Sequence, residues 1–193
     1  MRTKDMMQED RILEKYNAYK LEWLHDSMHF IMLIAVLFVV FRFVIGLSAV
    51  SGDSMEPQLS GGDLVVYYRL EKSYRQGDVV SIRVPSGDYY VKRIAAVGGD
   101  IVDLRDGKVY VNGGELKDSM SHGQTLEEAG GGIHPYKVRR GNVFVLGDNR
   151  MASLDSRTFG EVNLRQIKGK ILLRIGPAGI GPVGDGTTGR QEP

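Results

Sequence analysis

The sequence predicts an all-β domain preceded by one N-terminal transmembrane helix, and three features carry that expectation. Phe30 to Leu47, FIMLIAVLFVVFRFVIGL, is apolar apart from Arg42 and Gly46. Beyond it the texture changes to short β-prone runs punctuated by Gly and Asp. Two of those runs, IVDLR and KVYVN, are joined by Asp106-Gly107, which supplies the positive φ values of a two-residue type I′ hairpin turn.

Residues 1–26 mix Glu, Lys and Arg with Ile12, Leu13, Tyr16, Tyr19 and Trp23, a spacing compatible with a short amphipathic helix leading into the membrane. The apolar run of Phe30 to Leu47 rises roughly 27 Å as a helix, and extension toward Met28 and Val50 clears the roughly 30 Å hydrocarbon core, so a span is placed at 27–48. A buried core helix would keep a polar stripe, and a cleaved signal peptide would have a shorter polar lead and a shorter apolar run. Arg11, Lys15 and Lys20 precede the span, whereas after Arg42 the next basic residue is Arg69, which puts the N-terminus in the cytoplasm and residues 49–176 on the outer face of the plasma membrane. Arg42, near the outer end, can snorkel to the interface.

Strands are expected over Leu64 to Tyr68, Asp78 to Val84, Tyr89 to Val97, Ile101 to Arg105, Lys108 to Asn112, Val143 to Leu146 and Gly169 to Ile175. The polar stretch Glu115 to Arg140, with Gly130 to Gly132 inside it, reads as a long mobile loop. Residues 177–193 hold too little side chain to bury and read as a disordered tail.

At 193 residues the chain has room for one domain and a segment, and 42% hydrophobic with 25% charged residues is enough to build a core. A net charge of +1 offers no bulk field for gripping nucleic acid, which is excluded as a partner. The absence of Cys removes thiol nucleophiles, disulfides and zinc-thiolate sites. Hydroxyl, amine, carboxylate and imidazole chemistry remain.

Three segments can carry it. Ser54, in SGDSMEPQL, follows the span by seven residues and so lies within roughly 25 Å of the bilayer surface, although a serine in a Gly- and Pro-punctuated loop is also an ordinary turn residue. Lys92, in YYVKRIAAV, alternates along a strand with Arg93, so at least one of the two cations meets an apolar surface. Burial lowers a lysine pKa while arginine stays charged, which makes Lys92 the residue able to serve as a neutral base; a lysine snorkelling at a sheet edge is the plainer possibility. GDNRMASLDSRTFG, from Gly147 to Gly160, packs Asp148, Asn149, Ser153, Asp155 and Arg157 into a turn-rich stretch that can orient a lysine, or can be an Asx-rich turn with surface ion pairs. His25, His29, His122 and His134 have no motif that makes one of them the base of a serine.

Taken together, SGDSMEPQL, YYVKRIAAVGGD and GDNRMASLDSRTFG resemble, in order and spacing, the boxes of the bacterial type I signal peptidases. The resemblance covers the span and nearly all of residues 27–175. It implies a signal-peptidase/LexA-like β-fold with a flat apolar surface near the membrane, and a serine endopeptidase that removes N-terminal signal peptides from exported preproteins after small residues in an Ala-x-Ala-like pattern, with no metal or cofactor. Carried over residue by residue, it makes Ser54 the nucleophile and Lys92 the general base. Ser153 matches the serine that hydrogen-bonds the lysine amine, Asp155 and Arg157 match a supporting ion pair, and Asp148 and Asn149 match the structural start of their box. Met55, Leu59, Tyr90 and Val91 match positions lining the shallow substrate pockets.

The sequence departs from the family pattern at Gln58, at Met151-Ala152 and at Phe159, where threonine, Asp-Asn and tryptophan are frequent. At Gly52 some members carry a serine whose hydroxyl helps hold the oxyanion; a glycine has no such donor, leaving the Ser54 backbone N–H with a second donor unassigned. A self-cleaving LexA-like regulator shares the Ser-Lys chemistry but is argued against by the span and the absence of a basic recognition helix. Two rivals fit the same residues: a peptidase dedicated to one plasmid-transfer-type substrate, and a non-catalytic anchored β binding domain. Expected partners are preproteins and membrane lipid.

Overall fold

The computed structural model describes residues 2–84, 86–126 and 134–184. It divides into two compact units, residues 1–43 and 44–193. The first is helix α1, Arg2–Val39, followed by a π-helical turn over Val40–Val44. Glu22–Val44 is 23 residues long and apolar enough to cross a membrane, and none of its window is buried. An unburied run in which apolar side chains predominate is consistent with a membrane anchor.

The second unit is built almost wholly of strands. They run β1 Ile45–Ala49, β2 Leu64–Tyr68, β3 Val79–Arg83, β4 Tyr89–Val97, β5 Ile101–Arg105, β6 Lys108–Val111, β7 Gly114–Glu115, β8 Tyr136–Lys137, β9 Asn142–Leu146, β10 Val162–Asn163, β11 Ile167–Gly176 and β12 Gly179–Pro182. One helical turn, α2, spans Ser156–Phe159. The larger sheet is ordered β1-β2-β11-β3-β4-β9-β10, with β12 added to β11; the smaller is ordered β7-β6-β5-β8. The predicted all-β domain behind one N-terminal apolar helix is therefore the observed architecture.

Three clusters of buried side chains hold the unit together. Val80, Ile82, Ile94, Val143, Val145 and Ile167 form one on the larger sheet. Ala95, Ala96, Phe144 and Leu146 of that sheet meet Val102, Leu104, Val109 and Val138 to form the second. The third seats the loop after β1, through Met55 and Leu59, on Val65, Tyr67, Val79 and Ile171. Ala95 and Ala96 can both serve the second cluster because the β4–β9 register shifts between Ile94 and Ala96, and such a bulge interrupts alternation. The Asp106-Gly107 turn forms as expected, with φ of 53° and 72°.

Three expectations differ from the structure. Residues 45–48, placed in the span, belong to β1, which pairs with β2 from Ile45↔Tyr68 to Ala49↔Leu64. An apolar run fits helix or strand equally until a partner edge is available to take its backbone groups. Gly46 shows the selection at this place, because a Cβ there would run into the Tyr67 ring. The segment from 177, expected to be disordered, opens with β12, held to β11 by backbone pairing from Leu173↔Pro182 to Gly176↔Gly179 and so needing little side-chain burial. Finally, the stretch 115–140, expected as a loop, contributes β7, β8 and the buried Thr125. Gly130 to Gly132 and residues 185–193 lie outside the described residues.

Candidate active site

Ser54 sits in the turn between β1 and β2, and Lys92 sits on β4. The loop reaches the sheet because Met55 and Leu59 anchor it, at 1% and 0% exposure. That anchoring brings together two side chains 38 residues apart: Lys92 Nζ donates to Ser54 Oγ at 2.6 Å. No histidine takes part in the contact.

Lys92 is buried, and its ammonium lies 5.5 Å from the Tyr90 ring centroid. No carboxylate among the described residues lies within ion-pair distance of it. Burial therefore dominates and lowers its pKa from 10.5 to about 8, with Asp155 pulling it back up, Arg157 pushing it further down and Asp148 pulling it up. A lysine in this state is neutral in an appreciable fraction of molecules near neutral pH and can accept the proton of the hydroxyl it touches.

The Gly147–Gly160 stretch forms the buried frame behind this pair. Asp155 receives Arg157 in a two-pronged contact, Nε to Oδ1 and Nη2 to Oδ2, both at 2.9 Å, and also accepts from the Gly147 N–H at 3.0 Å. It caps α2 through the Arg157 N–H. Arg157 Nη2 in turn donates to the carbonyls of Arg150 and Ser153, so one ion pair ties both ends of the stretch together. The Asn149 N–H donates to the Ser54 carbonyl at 3.1 Å, which fastens the frame directly to the serine loop.

A cleft of about 230 Å³ opens beside the serine and lysine, with Ser48 to Met55 along one side and Tyr89 to Lys92 along the other. Met55, Tyr90 and Val91, three of the four residues matched to substrate pockets, line it, and so does Gly52. Gly52 adopts φ of 79°, a conformation an L side chain rarely takes, so the turn geometry itself explains the glycine and the missing hydroxyl. The Ser54 N–H has no acceptor among the described residues.

Two assigned residues stand elsewhere. Leu59 is not in the cleft wall; it is fully buried in the third core cluster, because the loop needs an apolar anchor on its inner side. The Ser153 hydroxyl, matched to a partner of the lysine amine, is buried and hydrogen-bonded to nothing among the described residues. It packs instead against Gly147, where an added Cβ would collide with the Ser153 side chain and meet the Ser54 carbonyl oxygen at 2.5 Å.

Sequence reasoning gives no role to Arg93, the other cation of β4. Its guanidinium takes Asp148 with Nε to Oδ1 at 2.7 Å and Nη2 to Oδ2 at 2.8 Å, and donates to the carbonyls of Gly77 and Gly184. Gln58, a departure from the family pattern, accepts from Arg93 Nη2 at 2.7 Å. A buried arginine requires a carboxylate, and the Asp-rich box is where the sequence offers one. Arg150, likewise buried, donates to Gly147 O, Thr125 Oγ1 and Asp118 Oδ2.

A family model described as signal peptidase, peptidase S26, matches residues 20–175. Signal peptidase I of Bacillus caldolyticus is 34% identical over 151 residues, covering 70% of this chain and 81% of that protein. Signal peptidase IB of Staphylococcus aureus strain COL is 32% identical over 178 residues, covering 81% and 90%. A crystal structure of a signal peptidase I from Enterococcus faecalis V583 aligns with a TM-score of 0.44 at 30% identity, over 51% of this chain and 97% of that one. The likeness carried by three short boxes thus extends along most of the chain, which belongs to the signal peptidase S26 family and is a serine protease.

Proposed function

We propose that this chain is a membrane-anchored endopeptidase that uses a Ser54–Lys92 dyad to cut signal peptides from exported preproteins after small residues. Family membership supports signal peptide cleavage. The reading of the dyad is carried by one observation, the 2.6 Å contact between the Ser54 hydroxyl and a buried lysine whose pKa is lowered to about 8.

In the proposed reaction neutral Lys92 accepts the Ser54 proton as Oγ attacks the carbonyl carbon of the scissile peptide bond. The tetrahedral intermediate collapses as the Lys92 ammonium returns that proton to the leaving amine, giving an acyl-enzyme. Lys92, neutral again, takes a proton from water as the hydroxide oxygen attacks the ester, and Ser54 recovers its proton when the signal peptide leaves. The Ser54 N–H, without an acceptor of its own, is the donor proposed for the oxyanion. Asp155, Arg157, Asp148 and Asn149 act by holding the frame, while Met55, Tyr90 and Val91 shape shallow pockets suited to small side chains.

The apolar helix supplies the anchor, with the basic residues Arg11, Lys15 and Lys20 on its N-terminal side placing that end in the cytoplasm and the β-unit outside. Single-turnover cleavage of a model preprotein ending its signal in Ala-x-Ala tests the reading. The detergent-solubilised protein is expected to cut after the second Ala, and Ser54→Ala to lose at least about 10⁴-fold in rate. An inactive wild type, or a Ser54→Ala variant that keeps its rate, overturns it.

A further inference from the structure

Some surface cations of the β-unit pair with carboxylates and others do not. Arg105 pairs with Asp103, Lys108 with Glu115, Arg139 with Glu161, Lys170 with Asp78 and Arg174 with Asp63. Arg83, Arg165 and Lys168, like Arg69, Arg75 and Lys137, pair with none among the described residues, but these three come from three separate segments to line one cleft of about 340 Å³. Arg83 ends β3, Arg165 lies in the 3₁₀ turn Leu164–Gln166, and Lys168 is the second residue of β11. Asp88, in the β3–β4 hairpin, accepts a hydrogen bond from the Ser86 hydroxyl. Three like charges held together with no carboxylate within ion-pair distance repel one another, an arrangement relieved by an anion.

The basic cleft adjoins the candidate active site through one residue. Tyr89 lines the Ser54–Lys92 cleft, stands opposite Arg83 in the β3–β4 ladder, and carries Lys168 Nζ 5.8 Å from its ring centroid. Along β4, Tyr89 is three residues from Lys92, which is roughly 10 Å of strand. An extended peptide whose scissile bond lies at Ser54 would bring residues about three to six positions from that bond alongside the basic cleft, at roughly 3.3 Å per residue.

We infer that Arg83, Arg165 and Lys168 form a subsite for an acidic side chain of the polypeptide substrate, three to six residues from the cleaved bond. The inference rests on the proposed peptidase reading, and it makes the enzyme discriminate among preproteins by charge as well as by small residues at the cut. Tyr89 adds a flat aromatic wall between the two sites and keeps the Lys168 ammonium directed along it.

The test is a set of model preproteins differing by a single Asp placed at each position from six before to six after the cut, compared with the neutral parent. For the wild type, one position is expected to lower KM about fivefold at low salt with kcat unchanged, and the gain is expected to vanish near 1 M salt. In Arg83→Gln/Arg165→Gln/Lys168→Gln the ratio of kcat/KM for the acidic over the neutral substrate is expected to fall to about one. Cleavage of the neutral parent without any position responding to Asp, or a ratio unmoved in the triple variant, overturns the subsite while leaving the peptidase reading intact. Failure to cleave the neutral parent overturns the peptidase reading itself. Arms with anionic and with neutral phospholipid vesicles complete the set: stimulation by anionic vesicles that depends on the three cations but not on substrate charge assigns the cleft to lipid headgroups and overturns the inference.

Discussion

Lys92 and Arg93 are adjacent on β4, both cationic by nature and each 3% exposed, yet the structure treats them in opposite ways. Arg93 is met by both oxygens of Asp148, by two carbonyls and by the Gln58 amide. Lys92 is met by a hydroxyl and an aromatic ring. A guanidinium cannot shed its proton, so its burial is tolerated only with full compensation, whereas an ammonium can escape the desolvation cost by becoming neutral. The strand thus uses one buried cation to hold the fold and leaves its neighbour uncompensated, and the uncompensated one is the group proposed as the base.

The sharpest way to break this contrast is to remove each side chain in turn. Lys92→Met is expected to abolish cleavage, by at least about 10⁴-fold, while raising stability at pH 7 by about 2 kcal/mol, since it removes a charge whose burial is uncompensated. Arg93→Met is expected to do the reverse in kind, costing about 3 to 5 kcal/mol by leaving Asp148 buried and unpaired. Asp148→Ala should cost a similar amount by stranding Arg93. Urea denaturation of the solubilised protein beside single-turnover rates reads both axes, and a Lys92→Met variant less stable than the wild type would contradict the account of Lys92.

Titration sharpens the same contrast at a somewhat smaller scale. The lowered pKa of Lys92 sets where its contribution falls. If Lys92 is the base, kcat/KM should rise roughly tenfold per unit below about 8 and level off above it. Stability carries the matching signature with its own sign. Well below pH 8 Lys92 is protonated in folded and unfolded chains alike, and the folded state bears the whole cost of the buried charge. Between about 8 and 10.5 the unfolded chain holds a proton that the folded chain has released, so stability rises with pH, by about 3 kcal/mol across the window. Lys92→Met should flatten that rise, and an unchanged slope in the variant would assign it to another group.

What the amino-acid sequence makes legible divides along the same lines. The longer strands β2 to β6, β9 and β11, the Asp106-Gly107 turn and the Ser54 and Lys92 boxes are local patterns, and local patterns survive in a sequence read alone, whereas the two-residue strands β7, β8 and β10 leave no such pattern. Contacts set by pairing at a distance do not. The partner of Arg93 lies 55 residues away. Ile45 to Ser48 looks like the end of an apolar helix until the β2 edge is there to receive it, and Gly179–Pro182 has no side-chain signal because backbone pairing with β11 makes it a strand. For Leu59 and Ser153 a matched motif transmits the residue's position in the chain and not the direction its side chain takes.

The smallest predicted effect concerns Ser153, whose hydroxyl is the one buried side-chain oxygen or nitrogen without a hydrogen-bond partner among the described residues. Since no bond is lost, Ser153→Ala should change stability by less than about 1 kcal/mol, in contrast to the stranded charges at Arg93 and Asp148. Its place beside Gly147, which also borders the Ser54 carbonyl, gives the hydroxyl a second use. Once Ser54 Oγ is committed to the acyl group, Lys92 loses the acceptor it has in the free enzyme, and a nearby unpaired hydroxyl can take its place. Ser153→Ala is accordingly expected to slow deacylation about tenfold and to shift the pH profile of that step, while leaving the denaturation midpoint where it was. A loss of more than about 2 kcal/mol in stability would instead mean that the hydroxyl is bonded in the folded state, and that the frame around Lys92 is as fully compensated as the one around Arg93.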